Sequence, residues 1–419
     1  MKKNRIFLMV VGLLLVCAIG MNLAGCTVTA QAGDLMEGIT PKQVTPLADL
    51  HSQNAAVTDF AVRLFRASND QGKNTLISPL SVLCALSMTA NGAEEETLNQ
   101  MEKVLGMSRE ELNLYLYTYM QNLPTGEKYK LKLANSIWFT GDSRFSVKQN
   151  FLQTNADYYG ADVYKALFDE QTCKNINDWV KNKTDGMIPE ILDQIPPEAV
   201  MYLVNALAFE AEWSKIYEEN QVREGEFIKE DGTKQKVEFM YSTEGVYLAD
   251  EKATGFMKYY SGEKYAFVAL LPNKGVSLSD YIASLTGESL HRLLSNPKAD
   301  KVETAIPKFE TGYDVELSAI LKAMGMPDAF DDEKANFTGL GTSSAGNIYI
   351  GRVLHKTFIS VAEKGTKAGA ATVVEMWEET SIMPTLSKEV ILDRPFVYML
   401  VDCENNIPFF IGTMTDIEK

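Results

Sequence analysis

Apolar residues recur at helical spacing over residues 55–66 and 79–90, which predicts two helices early in the chain. Ser78 and Pro79 give the second a capping hydroxyl and a proline in its first turn. Glu94-Glu95-Glu96 opens a third helix, where carboxylates suit the positive end of the dipole and a solvated face. Residues 176–182 read as part of a fourth, and residues 315–324 as a fifth, stopped by Gly325 and Pro327. The period then changes. Residues 131–139, 265–271 and 301–306 read as strands, and 201–209 is so nearly continuous in apolar residues that both of its faces must be covered. Residues 394–400 and 408–412 read as two short buried strands joined by a polar turn. Helices concentrated early and strands later predict an α+β domain with large, mostly antiparallel sheets. No internal repeat or low-complexity block interrupts it.

Residues 348–360 carry a strand pattern that runs into an unusual segment, residues 363–380. On one parity stand Thr366, Ala368, Ala370, Thr372, Val374 and Met376, all small or apolar. The other parity holds Lys367, Gly369, Ala371, Val373, Glu375 and Trp377, a mixed set with both charges. Alternate side chains of a strand point to opposite faces, so this segment can lie in a sheet with a compact face buried. Its short side chains, glycines and distal charge suit an exposed loop equally well. A segment fit for both states points to a switch.

The ends change the picture of where the chain resides. Lys2, Lys3 and Arg5 precede an apolar run over residues 6–19, short for a membrane span and right for a secretory leader. The run ends at Leu23-Ala24-Gly25-Cys26, which resembles a bacterial lipoprotein cleavage box and implies lipid on the Cys26 sulfur. Buried acyl methylenes contribute about 0.8 kcal/mol each, so the expectation is an extracellular protein anchored to the outer face of a bacterial membrane. Residues 26–52 are polar and aperiodic and are read as a lipidated, flexible tether. With 1–25 as leader, one large domain remains over residues 53–419.

Of the five cysteines, Cys17 leaves with the leader and Cys26 carries lipid. Cys84, Cys173 and Cys403 are an odd, widely spaced set that implies no disulfide framework, and Cys84 reads as a buried small hydrophobe. The formal net charge is −16, and three basic residues but no acidic ones leave with the leader, so the mature chain stands near −19. That balance argues against nucleic acid and anionic surfaces, and against polyanion cofactors of the heparin type.

Nothing in the chain has the spacing of a catalytic centre. His51, His291 and His355 are far apart, with no metal-ligand spacing, no strand-Gly-x-Ser-x-Gly-helix elbow and no phosphate-cradling glycine loop. Ser295 and Lys298 satisfy a Ser-x-x-Lys spacing across an Asn-Pro turn, which chance explains. His51 falls in the tether, and His355 falls in an apolar strand as a core histidine. No metal, cofactor or enzymatic activity is expected.

Together the segments carry a resemblance. A strand, a Glu-x-Gly-Thr hinge, an alanine-rich stretch, a variable loop and a Pro-Phe strand pair near the C-terminus resemble the serpin family. Ser78-Pro79-Leu80-Ser81, Asn91-Gly92-Ala93, Leu133-Ala134-Asn135, Ile176-Asn177-Asp178-Trp179-Val180, Leu203-Val204-Asn205-Ala206, Ala305-Ile306-Pro307-Lys308-Phe309 and Met324-Gly325-Met326 match family landmarks in order, from about Asn54 to the C-terminus.

The resemblance implies helices packed around three large sheets, a monomer, and a reactive-centre loop at about residues 363–390. It implies a suicide substrate: a serine protease cuts the loop, and the freed segment inserts into the central sheet with the acyl-enzyme attached. Fifteen inserted residues at about 3.3 Å each reach roughly 50 Å, comparable with the domain. The hinge then comprises Glu363, Gly365, Thr366, Ala368, Gly369, Ala370, Ala371 and Thr372. Lys367 departs from the acidic residue usual in relatives, on the parity that stays exposed. Family spacing from Glu363 places the cut at Glu379-Thr380, suiting a glutamyl-specific protease. Cleavage after Thr380 (at Thr380-Ser381) or after Ile382 suits elastase-like enzymes, cleavage after Met383 is disfavoured because Pro384 follows, and cleavage after Met376 or Trp377 suits chymotrypsin-like enzymes with a shorter insert. Ser78, Ser81, Asn205 and His355 match the polar cluster beneath the sheet opening, and Trp213 the tryptophan at its top. The alternatives are a non-inhibitory member that binds a ligand or partner, and an inhibitor of cysteine proteases.

Overall fold

The computed structural model describes residues 32–70, 72–124, 126–195, 201–344, 346–366 and 388–417, with backbone alone at 134, 205 and 206. Its helices are α1 (His51–Ser68), α2 (Pro79–Ala90), α3 (Glu95–Leu105), α4 (Arg109–Gln121), α5 (Gln149–Tyr159), α6 (Glu170–Lys183), α7 (Leu278–Ser284), α8 (Gly287–Ser295) and α9 (Ser318–Met324). Local chemistry sets their ends. The Ser78 hydroxyl accepts from the Ser81 N–H to start α2, Ser108 and Glu111 form a capping box on α4, and Gly106 ends α3 in the left-handed region at φ 84°. Every residue of α2 is buried, so this helix is a core element rather than an amphipathic one.

The strands are β1 (Gly33–Asp34), β2 (Thr75–Ile77), β3 (Tyr129–Thr140), β4 (Phe145–Val147), β5 (Asp162–Ala166), β6 (Met201–Glu212), β7 (Val222–Ile228), β8 (Lys234–Ala249) and β9 (Ala253–Tyr259). They continue with β10 (Tyr265–Pro272), β11 (Lys298–Pro307), β12 (Phe309–Glu316), β13 (Gly341–Ser343), β14 (Arg352–Ala362), β15 (Gly365–Thr366), β16 (Lys388–Ile391), β17 (Phe396–Asp402) and β18 (Ile407–Met414). The first sheet runs β1-β5-β3-β6-β15-β14-β12, and the second β16-β11-β8-β9-β10-β17-β18-β2 with β7 on β8. A two-stranded ribbon pairs β4 with β13. The long β8 pairs with β7 and β11 along most of its length and with β9 near its end, which joins two groups of strands into one path.

The main core lies between the sheets and around α1 and α2. A second core packs Ile176, Trp179 and Val180 of α6 on Trp138, Tyr202 and Val204, the outer face of the first sheet. This is why β6 reads as apolar on both faces: Leu203 and Leu207 enter the main core and Tyr202 and Val204 the second.

Two expectations are corrected. Residues 33–52 are not a flexible tether, and His51, expected in it, opens α1. Gly33 and Asp34 add an antiparallel edge strand to β5, Leu35 N–H donates to Val163 O at 2.8 Å, and Lys42 N–H donates to Asp157 Oδ1 at 2.7 Å. Leu35, Met36, Ile39 and Leu47 pack against the main core at irregular intervals, so no period announces them. Residues 26–31, with Cys26, lie outside the described residues. The second correction concerns residues 315–324: Val315 and Glu316 end β12, opposite His355 and Leu354, and the helix starts at Ser318. Elsewhere the expected elements hold, most extended by a few residues, while the strands expected over 348–360 and 394–400 start later, at Arg352 and Phe396.

Candidate hinge and sheet opening

β14 turns at Glu363-Lys364 and returns as β15, which lies between β14 and β6. Gly365 pairs with Ala362 and Glu212, and Thr366 with Val361 and Ala211. Gly365 is required by contact: a Cβ there would stand 2.0 Å from the Ala211 carbonyl oxygen. Thr366 is only 2 % exposed, so its side chain points into the core as the parity predicts.

The socket around this turn is aromatic. The Trp213 ring stacks on Tyr260 at 4.4 Å between centroids, and the Tyr260 hydroxyl shares a hydrogen bond with Thr366 Oγ1. Main-chain N–H groups of Trp213 and Tyr217 donate to the carbonyls of Lys364 (2.8 Å) and Glu363 (2.9 Å), and Trp213 Nε1 donates to Ala362 O (2.8 Å). Lys308 lies between Glu363 (2.7 Å) and Glu238 (2.9 Å). Burial raises the Glu363 carboxyl, but the Lys308 ammonium outweighs that and holds it below its ordinary range.

Beneath the hinge the sheet is open. Among the described residues β6 and β14 pair directly only at Arg352–Tyr202 and Val353–Leu203. Between that closure and β15, residues 204–210 of β6 and 354–360 of β14 face each other without a shared ladder.

Part of the expected polar cluster lies at that level. His355, 3 % exposed, accepts the Ser78 N–H at Nε2 (3.0 Å), which leaves its ring proton on Nδ1. Burial pushes its pKa down to about 4, so it is neutral. The Ser78 hydroxyl accepts from Ser81 N–H, and Thr357 Oγ1 donates to Leu76 O (2.7 Å). The structure thus gathers Ser78, Ser81 and His355 and sets Trp213 apart, at the hinge. The Asn205 side chain lies outside the description, though its backbone pairs with Asn135. Cys84, beneath the sheet, accepts from Asn135 Nδ2 (3.2 Å), and burial pushes its thiol up to about 12.

Ala368, Gly369, Ala370, Ala371 and Thr372, and the bait residues Glu379, Thr380, Ser381, Ile382 and Met383, lie outside the described residues. Sequence reasoning missed Tyr260, Tyr217 and the Lys258–Glu244 pair behind them; a lysine in the apolar run 253–259 was the available signal.

A family model described as "Serpin (serine protease inhibitor)" matches residues 55–417. The chain is 30 % identical to Serpin B8 of Homo sapiens, over 84 % of this chain and 96 % of that one. It is 29 % identical to the leukocyte elastase inhibitor of Homo sapiens, over 86 % and 98 %. The crystal structure of tengpin, a thermophilic serpin, in its native state matches with 48 % identity and a TM-score of 0.88, covering 93 % of this chain and all of that one. The latent state of tengpin matches with a TM-score of 0.79 over 90 % of this chain, so the arrangement here is nearer the native one.

Proposed function

The chain belongs to the serpin family, and from that premise we propose that it inhibits serine proteases as a suicide substrate. The observation that carries this reading is the seated start of the hinge above an open lane in the sheet. Extending the register of Gly365 and Thr366 downward, Ala368 would lie opposite Phe209 and Ile359, and Ala370 opposite Leu207 and Thr357. Thr372 would meet Asn205 and His355, and Val374 would meet Leu203 and Val353. Phe209, Leu207, Leu203, Ile359 and Val353 all belong to the main core, so the parity that meets them must be compact and uncharged, and it is. On the other parity Lys367 would stand between Glu210 and Ser360, where a lysine is tolerated, and Val373 would join Val204 and Leu354 at the second core. Seven residues fit before the Val353–Leu203 closure must part, so completion of the strand and unzipping of that closure are one event.

Cleavage is proposed at Glu379-Thr380, with Ser381, Ile382 and Met383 as alternative positions, by a glutamyl-specific, elastase-like or chymotrypsin-like enzyme. Incubation with one protease of each class tests this. A covalent complex that survives boiling in detergent is expected with at least one, and mass spectrometry of that complex identifies the residue at the cut. Only cleaved, uncomplexed protein in all three mixtures would favour a non-inhibitory binding protein. The lipid at Cys26 is proposed on the leader sequence alone. Incorporation of labelled fatty acid that is lost in Cys26→Ser, with release from membranes, is the expected result.

A further inference from the structure

Behind the hinge socket lies a buried charge that strand insertion does not itself require. Lys258, near the end of β9, is 2 % exposed, and its ammonium pairs with Glu244 of β8 at 2.8 Å. The same ammonium stands 4.3 Å from the centroid of the Tyr217 ring and 5.4 Å from the Trp213 ring. The Ser242 hydroxyl donates to the same Glu244 oxygen, Oε1, that the ammonium bonds, at 2.6 Å, and Ser242 is tied to Thr304 of β11. Tyr217 and Trp213 are the two residues whose N–H groups carry the hinge carbonyls of Glu363 and Lys364. Ser242 Oγ also lies 3.3 Å from the Tyr217 hydroxyl, so the contacts run from the second sheet to Tyr217 both directly and through the cation, and to Trp213 through the cation.

We propose that Lys258 is a positioning residue for the hinge: neutralised by Glu244, its ammonium seats the faces of Tyr217 and Trp213 and thereby sets how readily residues 363–366 leave or deepen their seat. This rests on the inhibitory reading for its consequence but not for its test. Taking an ammonium out of water is costly unless it is paired, and a desolvated cation is attracted to the face of an aromatic ring more strongly than an exposed one. The groups facing it are Glu244 from β8 and Tyr217, Trp213 and Lys215 from the segment after β6. Burial lowers the Lys258 pKa, against the raising effect of Glu244.

The test is hydrogen exchange at the Trp213 and Tyr217 amides of the full chain, corrected for the intrinsic effect of pH and compared with amides of β17. In Lys258→Met with Glu244→Gln, which removes both charges at nearly constant volume, exchange at these two amides is expected to quicken on the order of tenfold while β17 is unchanged. Glu244→Gln alone leaves a buried cation without its counter-ion. Its exchange at both amides should quicken further at neutral pH and settle to the level of the double variant as pH rises and the ammonium loses its proton, because a neutral amine no longer holds the aromatic faces. Unchanged exchange in the double variant, or acceleration shared equally by β17, overturns the proposal. So does a Glu244→Gln effect indifferent to pH, which stands as the test if the double variant does not fold. Loss of complex formation in the wild-type protein would sink the inhibitory reading while leaving this result untouched.

Discussion

At the scale of single residues, Thr366 and His355 carry the clearest expectations. Thr366 is buried against Tyr260 and already paired in the sheet, and an arginine there would place an unpaired charge where the inserting strand must begin to grow. Several kcal/mol against that step converts an inhibitor into a substrate. Thr366→Arg should therefore be cut at a normal rate while the yield of stable complex falls at least about tenfold; undiminished complex by gel densitometry would contradict the hinge assignment. His355 makes a prediction about acid. A histidine in the unfolded chain takes its proton near pH 6.5. In the folded chain His355 waits until about 4, because its imidazolium would have no solvent. Between those values only the unfolded chain binds the proton, so native stability is fully present above about pH 6.5. It falls by roughly 3 kcal/mol on the way down to about 4. His355→Gln, which keeps an acceptor for the Ser78 N–H, should flatten that part of the profile of melting temperature against pH. A profile as steep as the wild type's would remove His355 as its source.

Among the elements, β15 and its turn form the junction on which the account turns, and Lys308 is its exposed tie. The pair with Glu363 is about one-third exposed on either side, so its contribution belongs with surface bridges, about 0.5–1 kcal/mol. Lys308→Met should loosen the turn by that amount at neutral pH, read as faster exchange at the Tyr217 amide. The Glu363 carboxyl titrates below its ordinary range, so the stabilisation is present above about pH 4.3 and is lost as pH falls through the lowered value. Wild type and variant should converge there; a gap that persists in acid would assign the effect to lost packing of the lysine stem.

Sequence pattern and structure agree best in the elements with long periods. The buried α2 announced itself through Ser78 and Pro79, and β6 through its unbroken apolar run. The burial of Thr366 was readable because a strand's alternation needs no partner to be seen, while residues 367–376 lie outside the described residues. What stayed hidden depends on partners distant in sequence. Gly33 and Asp34 become a strand only because β5 offers an unpaired edge, and two residues carry no period. Val315 and Glu316 fit a helical spacing but are claimed by the β14 ladder. Lys258 sits in an apolar strand as any snorkelling lysine could, and its burial follows from Glu244, Tyr217 and Trp213 converging from elsewhere.

At the scale of the whole molecule, the first sheet is closed at its lower end by two residue pairs, wedged at its upper end by β15 and, among the described residues, unladdered between. On the proposed reading, main-chain groups left without a ladder partner at the centre of a sheet would be the energy that insertion releases, because buried main-chain groups otherwise find partners. The segment that would fill the lane is on the same chain, has the right parity and is long enough to reach the far pole.

The most direct measurement is the melting temperature before and after a single nick between Met376 and Met383, with exchange followed along β6 and β14. The cleaved form should melt well above the intact one, and amides of residues 204–210 and 354–360 should become protected. An unchanged melting temperature with no new protection along those strands would mean that the intact chain is already at its most stable arrangement.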